Sequence, residues 1–152
     1  MDIIIYPFYA FLTSFGFGII FNIKGKNLFF SALDGGLGWF VYLLCIKCGS
    51  SDNLAYFIAA IFISAFAEVL ARKLKTPVTL FLVCALIPLV PGSGMYYTMF
   101  ECVNGNISES LKIGFKTICI AGAIATGIIL VSCTTKIITS KVSKKNKYVF
   151  NK

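Results

Sequence analysis

Asp34 and Glu68 are the only carboxylates inside the long apolar runs of this chain. An ionisable group in such a setting is costly and by default marks a candidate functional site. Glu68 is followed four residues later by Arg72, the spacing of a local ion pair on one helix face. The pair reads as a structural or gating contact, with proton coupling by the carboxylate as the other reading. Asp34 stands beside Gly35 and Gly36. Either it bonds across to a neighbouring helix or it lines water, and the residue types leave the two equal. Together Asp34, Glu68 and Arg72 form the gating or coupling candidates.

A second chemistry resides in backbone. The run from Val78 to Phe100 holds no charged residue, and as one straight helix it would reach about 34 Å, enough to cross a bilayer. Pro88 and Pro91 withhold the amide hydrogens that would serve the carbonyls of Cys84 and Ile87, and Gly92, Ser93 and Gly94 loosen the next turn. Backbone freed inside lipid must be met by other helices, water or a ligand, and interrupted helices of this kind form the substrate sites of many transporters. Amides from Gly92 to Met95 would open a second short helix able to face a carboxylate, while freed carbonyls would suit an ammonium group or a cation. A plain proline kink satisfied by neighbours is the equal alternative. Substrate-path candidates are therefore Pro88, Pro91, Gly92, Ser93 and Gly94, with Trp39, whose place near mid-membrane suits core packing or a cavity wall. Tyr96 and Tyr97 read as interfacial anchors.

Composition sets the elements that must hold these groups. The chain is 58% hydrophobic and 13% charged, with mean hydropathy +0.87, far from the roughly 25% charge of soluble domains. It reads as an all-α integral membrane protein, with no separate soluble domain. The net charge of +8 lies in short clusters and a C-terminal tail, which suits anionic lipid headgroups and not nucleic acid. There is no histidine, and Cys45 and Cys48 form a lone CxxC, too little for a zinc site. No cofactor, metal centre or paired acid and base is implied, so an enzyme is the weakest class.

Five spans fit: 3–21, 28–46, 54–71, 78–100 and 117–135, the fourth broken at Pro88 to Gly94, with a longer fifth helix possible from near Ser108. Asp2 in place of a basic start argues for a retained first span over a cleaved leader. Eleven of the 14 basic residues fall in the first loop, the third loop and the tail; only Lys47, Lys112 and Lys116 lie opposite. Basic loops stay cytoplasmic, which puts the N-terminus outside and the C-terminus inside. Residues 1–140 make one transmembrane domain and 141–152 a basic cytoplasmic tail. Simple rise then sets Asp34 about 9 Å and Glu68 about 5 Å from the cytoplasmic side, and Gly92 about 21 Å from Val78. The break and Glu68 are thus too far apart in depth for one ligand group.

Small residues pair at helix-packing spacing: Ala32 with Gly36, Gly35 with Gly38, Ala121 with Ala125, Ala123 with Gly127. Packing within the chain is the favoured use, packing on another subunit the other. There is no internal repeat, although many complete transporters are built from two; the chain resembles half of an assembly.

The segment Ala67-Glu68-Val69-Leu70-Ala71-Arg72-Lys73-Leu74-Lys75-Thr76-Pro77 and the stretch Ile87-Pro88-Leu89-Val90-Pro91-Gly92-Ser93-Gly94-Met95-Tyr96-Tyr97 resemble the threonine/serine exporter family, specifically the short membrane subunit of its split, YjjB-like form. Gly35-Gly36-Leu37-Gly38-Trp39 and Ala121-Gly122-Ala123-Ile124-Ala125 fit as well. The resemblance implies a multi-pass exporter of the bacterial inner membrane, oligomeric, working with a larger membrane subunit of the same family. It would carry threonine or serine, or a dicarboxylate such as succinate; an accessory protein that assembles a transporter without touching substrate is the alternative. Glu68, Arg72, Thr76, Pro77, Pro88, Pro91, Gly92 and Gly94 match the family pattern. Cys84-Ala85 stands where Pro-Gly is expected, and Asp34 departs from it too.

Overall fold

A computed structural model describes the backbone of residues 2–150 and the side chains of residues 3–138. The chain runs α1 (Asp2–Ile20), α2 (Lys26–Lys47), α3 (Asp52–Leu74), α4 (Val78–Leu86), a 3-10 turn (Ile87–Leu89), α5 (Gly92–Val103) and α6 (Ile107–Phe150). The described residues contain no strand. Helix is what apolar sequence of this length must form where water cannot serve the backbone.

Four helices are long and apolar enough to span a membrane, and α4, the 3-10 turn and α5 form a fifth candidate bent by 49°. The chain thus has four to five candidate spans, five if the bent pair crosses as one. The four unbroken spans fall where the hydrophobic runs put them. The stretch between the fourth and fifth spans is mostly helix, since α5 runs to Val103 and α6 starts at Ile107, the longer fifth helix expected from near Ser108. Only Asn104, Gly105 and Asn106 turn the chain, with Gly105 at φ +82°, a conformation that glycine adopts at little cost. The Asn106 side chain donates to Glu101 across the turn at 2.8 Å. The basic tail drawn at 141–152 lies outside the described side chains.

Packing follows the small residues. Helix α2 is the hub, against α1, α3 and α4, and α6 packs along α3 and carries α5. A side chain on Gly38 would collide with Ile63, one on Gly36 would crowd Phe11 and the Pro7 carbonyl, and one on Gly127 would press on the Phe57 carbonyl. Those pairs therefore bring helices of this chain together. Ala121 and Ala125 instead face outward, and a side chain on Gly122 would meet open space.

The buried apolar core is thin. Ala59, Ile63, Ala85 and Leu89 form one cluster with Trp39 and Tyr42 against it, and Ala67, Leu70, Ala71 and Phe81 form another. Large apolar side chains such as Phe8, Tyr9, Ile20, Met99, Leu111 and Ile118 point outward, while Ser14, Ser31, Asp34 and Ser64 are buried. Apolar surface around polar interior is the arrangement that lipid stabilises and water would not.

Candidate functional site

Helix α4 runs unbroken through Cys84 and Ala85, so the helix break begins beyond them. Ile87–Leu89 tightens into 3-10 geometry with Pro88 inside it, and Val90 then turns extended at φ −60°, ψ 129°. Residue 90 precedes a proline, whose ring disfavours helical backbone at the position before it. The Gly92 amide donates to the Val90 carbonyl at 2.7 Å, and the Met95 amide to the Pro91 carbonyl at 3.2 Å. Ser93 and Gly94 begin α5 with amides that have no helical acceptor behind them.

Pro91, Ser93 and Gly94 line a pocket of about 260 Å³ whose other walls include Tyr42, Asp52, Tyr56, Tyr97, Lys116 and Thr117. Polar and apolar surface are nearly balanced there. A larger cleft of about 390 Å³, by contrast, is almost wholly apolar, with Phe21, Ile23, Leu80 and Val83 in its wall. Inside the polar pocket the Lys116 ammonium pairs with the Asp52 carboxylate at 2.6 Å, joining α6 to α3; both side chains stay about half exposed. The Tyr42 and Tyr56 rings lie 4.5 Å apart beside them. Gly94 is pressed on α6: a side chain there would collide with Thr117, whose hydroxyl donates to the Ile113 carbonyl at 2.8 Å.

Among the sequence candidates, Pro91, Ser93 and Gly94 reach this pocket. Pro88 and Gly92 belong to the break without lining the pocket. Trp39 packs on the cluster of Ile63 and Leu89 with its ring 5.2 Å from that of Tyr42, one residue back from the wall. Its indole N–H is buried without a partner. Glu68 pairs with Arg72 on one helix face, at 3.8 Å, with Arg72 about half exposed. Tyr56 and Glu68 are separated on α3 by about 18 Å of helix, so the structure does not bring the break and Glu68 together.

Asp34 occupies a place of its own. Its side chain is fully buried, and neither carboxylate oxygen has a hydrogen-bond partner among the described residues. One turn away on the same face of α2, Ser31 sits beside the Cys84 thiol of α4. Gly35 lets Ser14 of α1 and Ala85 of α4 close in. A charged carboxylate so placed requires a counterpart: a proton, a cation, or a donor from another chain.

Asp52 and Lys116 escaped sequence reasoning because each was assigned to a connecting segment. Asp52 in fact opens α3, where a helix N-terminus favours an acid, and Lys116 sits inside the longer α6. Opposite charges at one end of the bundle are the signal that was there to use.

A broken apolar helix, a polar pocket at the break and a buried carboxylate without a partner define a multi-pass membrane protein of transporter type. Residues 6–134 match the family described as threonine/serine exporter, ThrE. The chain belongs to that family, a class of exporters and not of enzymes. No solved structure matches it.

Proposed function

We propose that the chain is the membrane subunit of a two-component secondary exporter of small polar metabolites, residing in the bacterial inner membrane with its N-terminus outside. The carrying observation is the pocket at the helix break, where Ser93 and Gly94 amides, three tyrosines and a charged pair stand together in an otherwise apolar shell. Exposed amides at a short helix start suit an anionic group, and the tyrosine hydroxyls suit further polar atoms. With the basic loops inside, this pocket lies toward the outer face, where an exporter releases its cargo. Asp34, deep in α1–α4, and the Glu68–Arg72 pair serve coupling or gating on the inner side. The partner is a larger membrane subunit of the same family, and anionic lipid receives the basic clusters.

Efflux supplies the test. Cells loaded with threonine or with succinate and expressing this chain together with a larger family subunit should release one of them faster than cells expressing either chain alone. Full-rate transport by the isolated, reconstituted chain contradicts the two-component reading. An accessory role would show as efflux that survives alteration of every pocket residue but fails when this chain is omitted.

A further inference from the structure

Two apolar grooves of similar size open on the surface of the bundle, and cations flank one of them. The first, of about 390 Å³, lies between the turn after α1 and helix α4, with Phe21, Ile23, Pro77 and Val83 in its wall. The second, of about 360 Å³, lies between α1 and α2, with Ile4, Phe8, Leu33 and Phe40 in its wall. Lys24 directly follows Ile23, and Lys75 stands two residues before Pro77; both are exposed. For the second groove the nearest basic residues along the chain, Lys26 and Lys47, are each seven positions from a wall residue, about 10 Å of helix. We infer that the first groove seats one anionic phospholipid, with an acyl chain lying along α4 and the headgroup phosphate held by Lys24 and Lys75. The inference narrows the general attraction of the basic clusters for anionic lipid to one molecule in one place. It rests on the membrane residence in the proposed function and not on export.

The groove follows α4 from Pro77 to Cys84, about 10 Å, and apart from Thr79 and Cys84 its wall side chains are hydrocarbon. A lipid tail is no more apolar than the side chains it would touch, so such a groove fixes where a chain lies but adds little preference between lipids. Preference has to come from the headgroup end. There the turn after α1 and the turn after α3 bring Lys24, Lys26, Lys73 and Lys75 to one end of the bundle. Lys75 is set there by the left-handed turn, φ +54°, that ends α3. Among the described residues no carboxylate pairs with any of these four lysines, and Glu68, at the same end of α3, is engaged with Arg72. One lysine beside each wall offers a phosphodiester two charge-assisted contacts. A zwitterionic headgroup carries its own cation into the same positive field and gains less.

Native mass spectrometry of the full chain, released from micelles holding equimolar phosphatidylglycerol and phosphatidylcholine, tests this. One phosphatidylglycerol should stay bound and outnumber phosphatidylcholine about tenfold or more, the ratio expected from two lysines beside a charged headgroup. Lys24→Gln combined with Lys75→Gln should bring the two lipids to within about twofold of each other. Lys144→Gln combined with Lys145→Gln, an equal loss of charge near the C-terminus, should leave the preference in place. Val83→Phe, which fills the groove, should lower retention of both lipids. Soluble glycerol 3-phosphate should not displace the bound lipid, because it brings a phosphate without a chain. The inference is overturned by equal retention of both lipids on the unaltered protein, by a preference that survives in the Lys24 and Lys75 variant or falls equally in the C-terminal variant, by retention unchanged in Val83→Phe, or by displacement with glycerol 3-phosphate. If the Lys24 and Lys75 variant unfolds, the unaltered protein and Val83→Phe still decide. Efflux keeps the two readings apart: transport with the partner but no lipid preference refutes the site and leaves the exporter, whereas a preference without transport refutes the exporter and leaves the site.

Discussion

Among the described residues nothing bonds to the Asp34 carboxylate, and this sets its behaviour apart from that of Glu68. Glu68 has Arg72 on the next turn, a pair in which the carboxylate is mostly buried and the guanidinium about half exposed. Removing the unanswered carboxylate while keeping its shape should not harm the fold. Asp34→Asn is expected to leave the detergent melting temperature unchanged or raised, while efflux in the presence of the partner falls about tenfold or more. Melting and efflux dropping together would make Asp34 a structural group. Both carboxylates were legible as exceptions in apolar sequence. Burial without a partner was not, because it depends on which residues α1, α3 and α4 bring up to α2.

Among the elements, the short α5 was legible at both ends, at its start from the prolines and glycines and at its end from the turn residues Val103 to Asn106. Pro88, Pro91 and the glycines announced a break between two helical halves. Asn106 closes that turn by bonding to Glu101, a contact that residue types alone do not give. The two glycines of α5 also differ in a way no sequence pattern reveals. Gly94 abuts Thr117, and Gly92 faces open space. Thr117 is β-branched and back-bonded to Ile113, so it yields poorly. Gly94→Ala is therefore expected to cost about 1–3 kcal/mol by overpacking, and Gly92→Ala to stay within about 0.5 kcal/mol. Melting of the two purified variants should differ accordingly. Equal melting would mean that α5 is not seated on α6 as described.

For the whole molecule, the proposed orientation, N-terminus outside, rests on the basic residues gathering in the first loop, the third loop and the tail. In a background without native cysteines, a cysteine replacing Asn104 should react with a membrane-impermeant maleimide in intact cells, and one replacing Asn22 only after permeabilisation. The reverse pattern would invert the bundle and move the polar pocket to the cytoplasmic face. Hydropathy made the number of helices readable, and the small-residue pairs made much of their contact readable: Gly36, Gly38 and Gly127 are all used within the chain. The outward set Ala121, Gly122 and Ala125 is identical in sequence style. Only the placement of α6 along α3 separates it from the others.

The bend before α5 also has a mechanical side. Helix α5 is a rod about 18 Å long, so each ten degrees of rotation at the Val90–Pro91 joint carries its far end about 3 Å. It cannot swing alone, because Ser110 donates to the Thr98 carbonyl at 2.7 Å, which yokes it to the start of α6. The yoked hairpin lies along α3 through Ile120, Ile124 and Gly127 against Ala60 and the Phe57 carbonyl, and at the pocket end the Lys116–Asp52 pair adds a charged tie. Bending at that joint therefore carries the start of α6 along with α5.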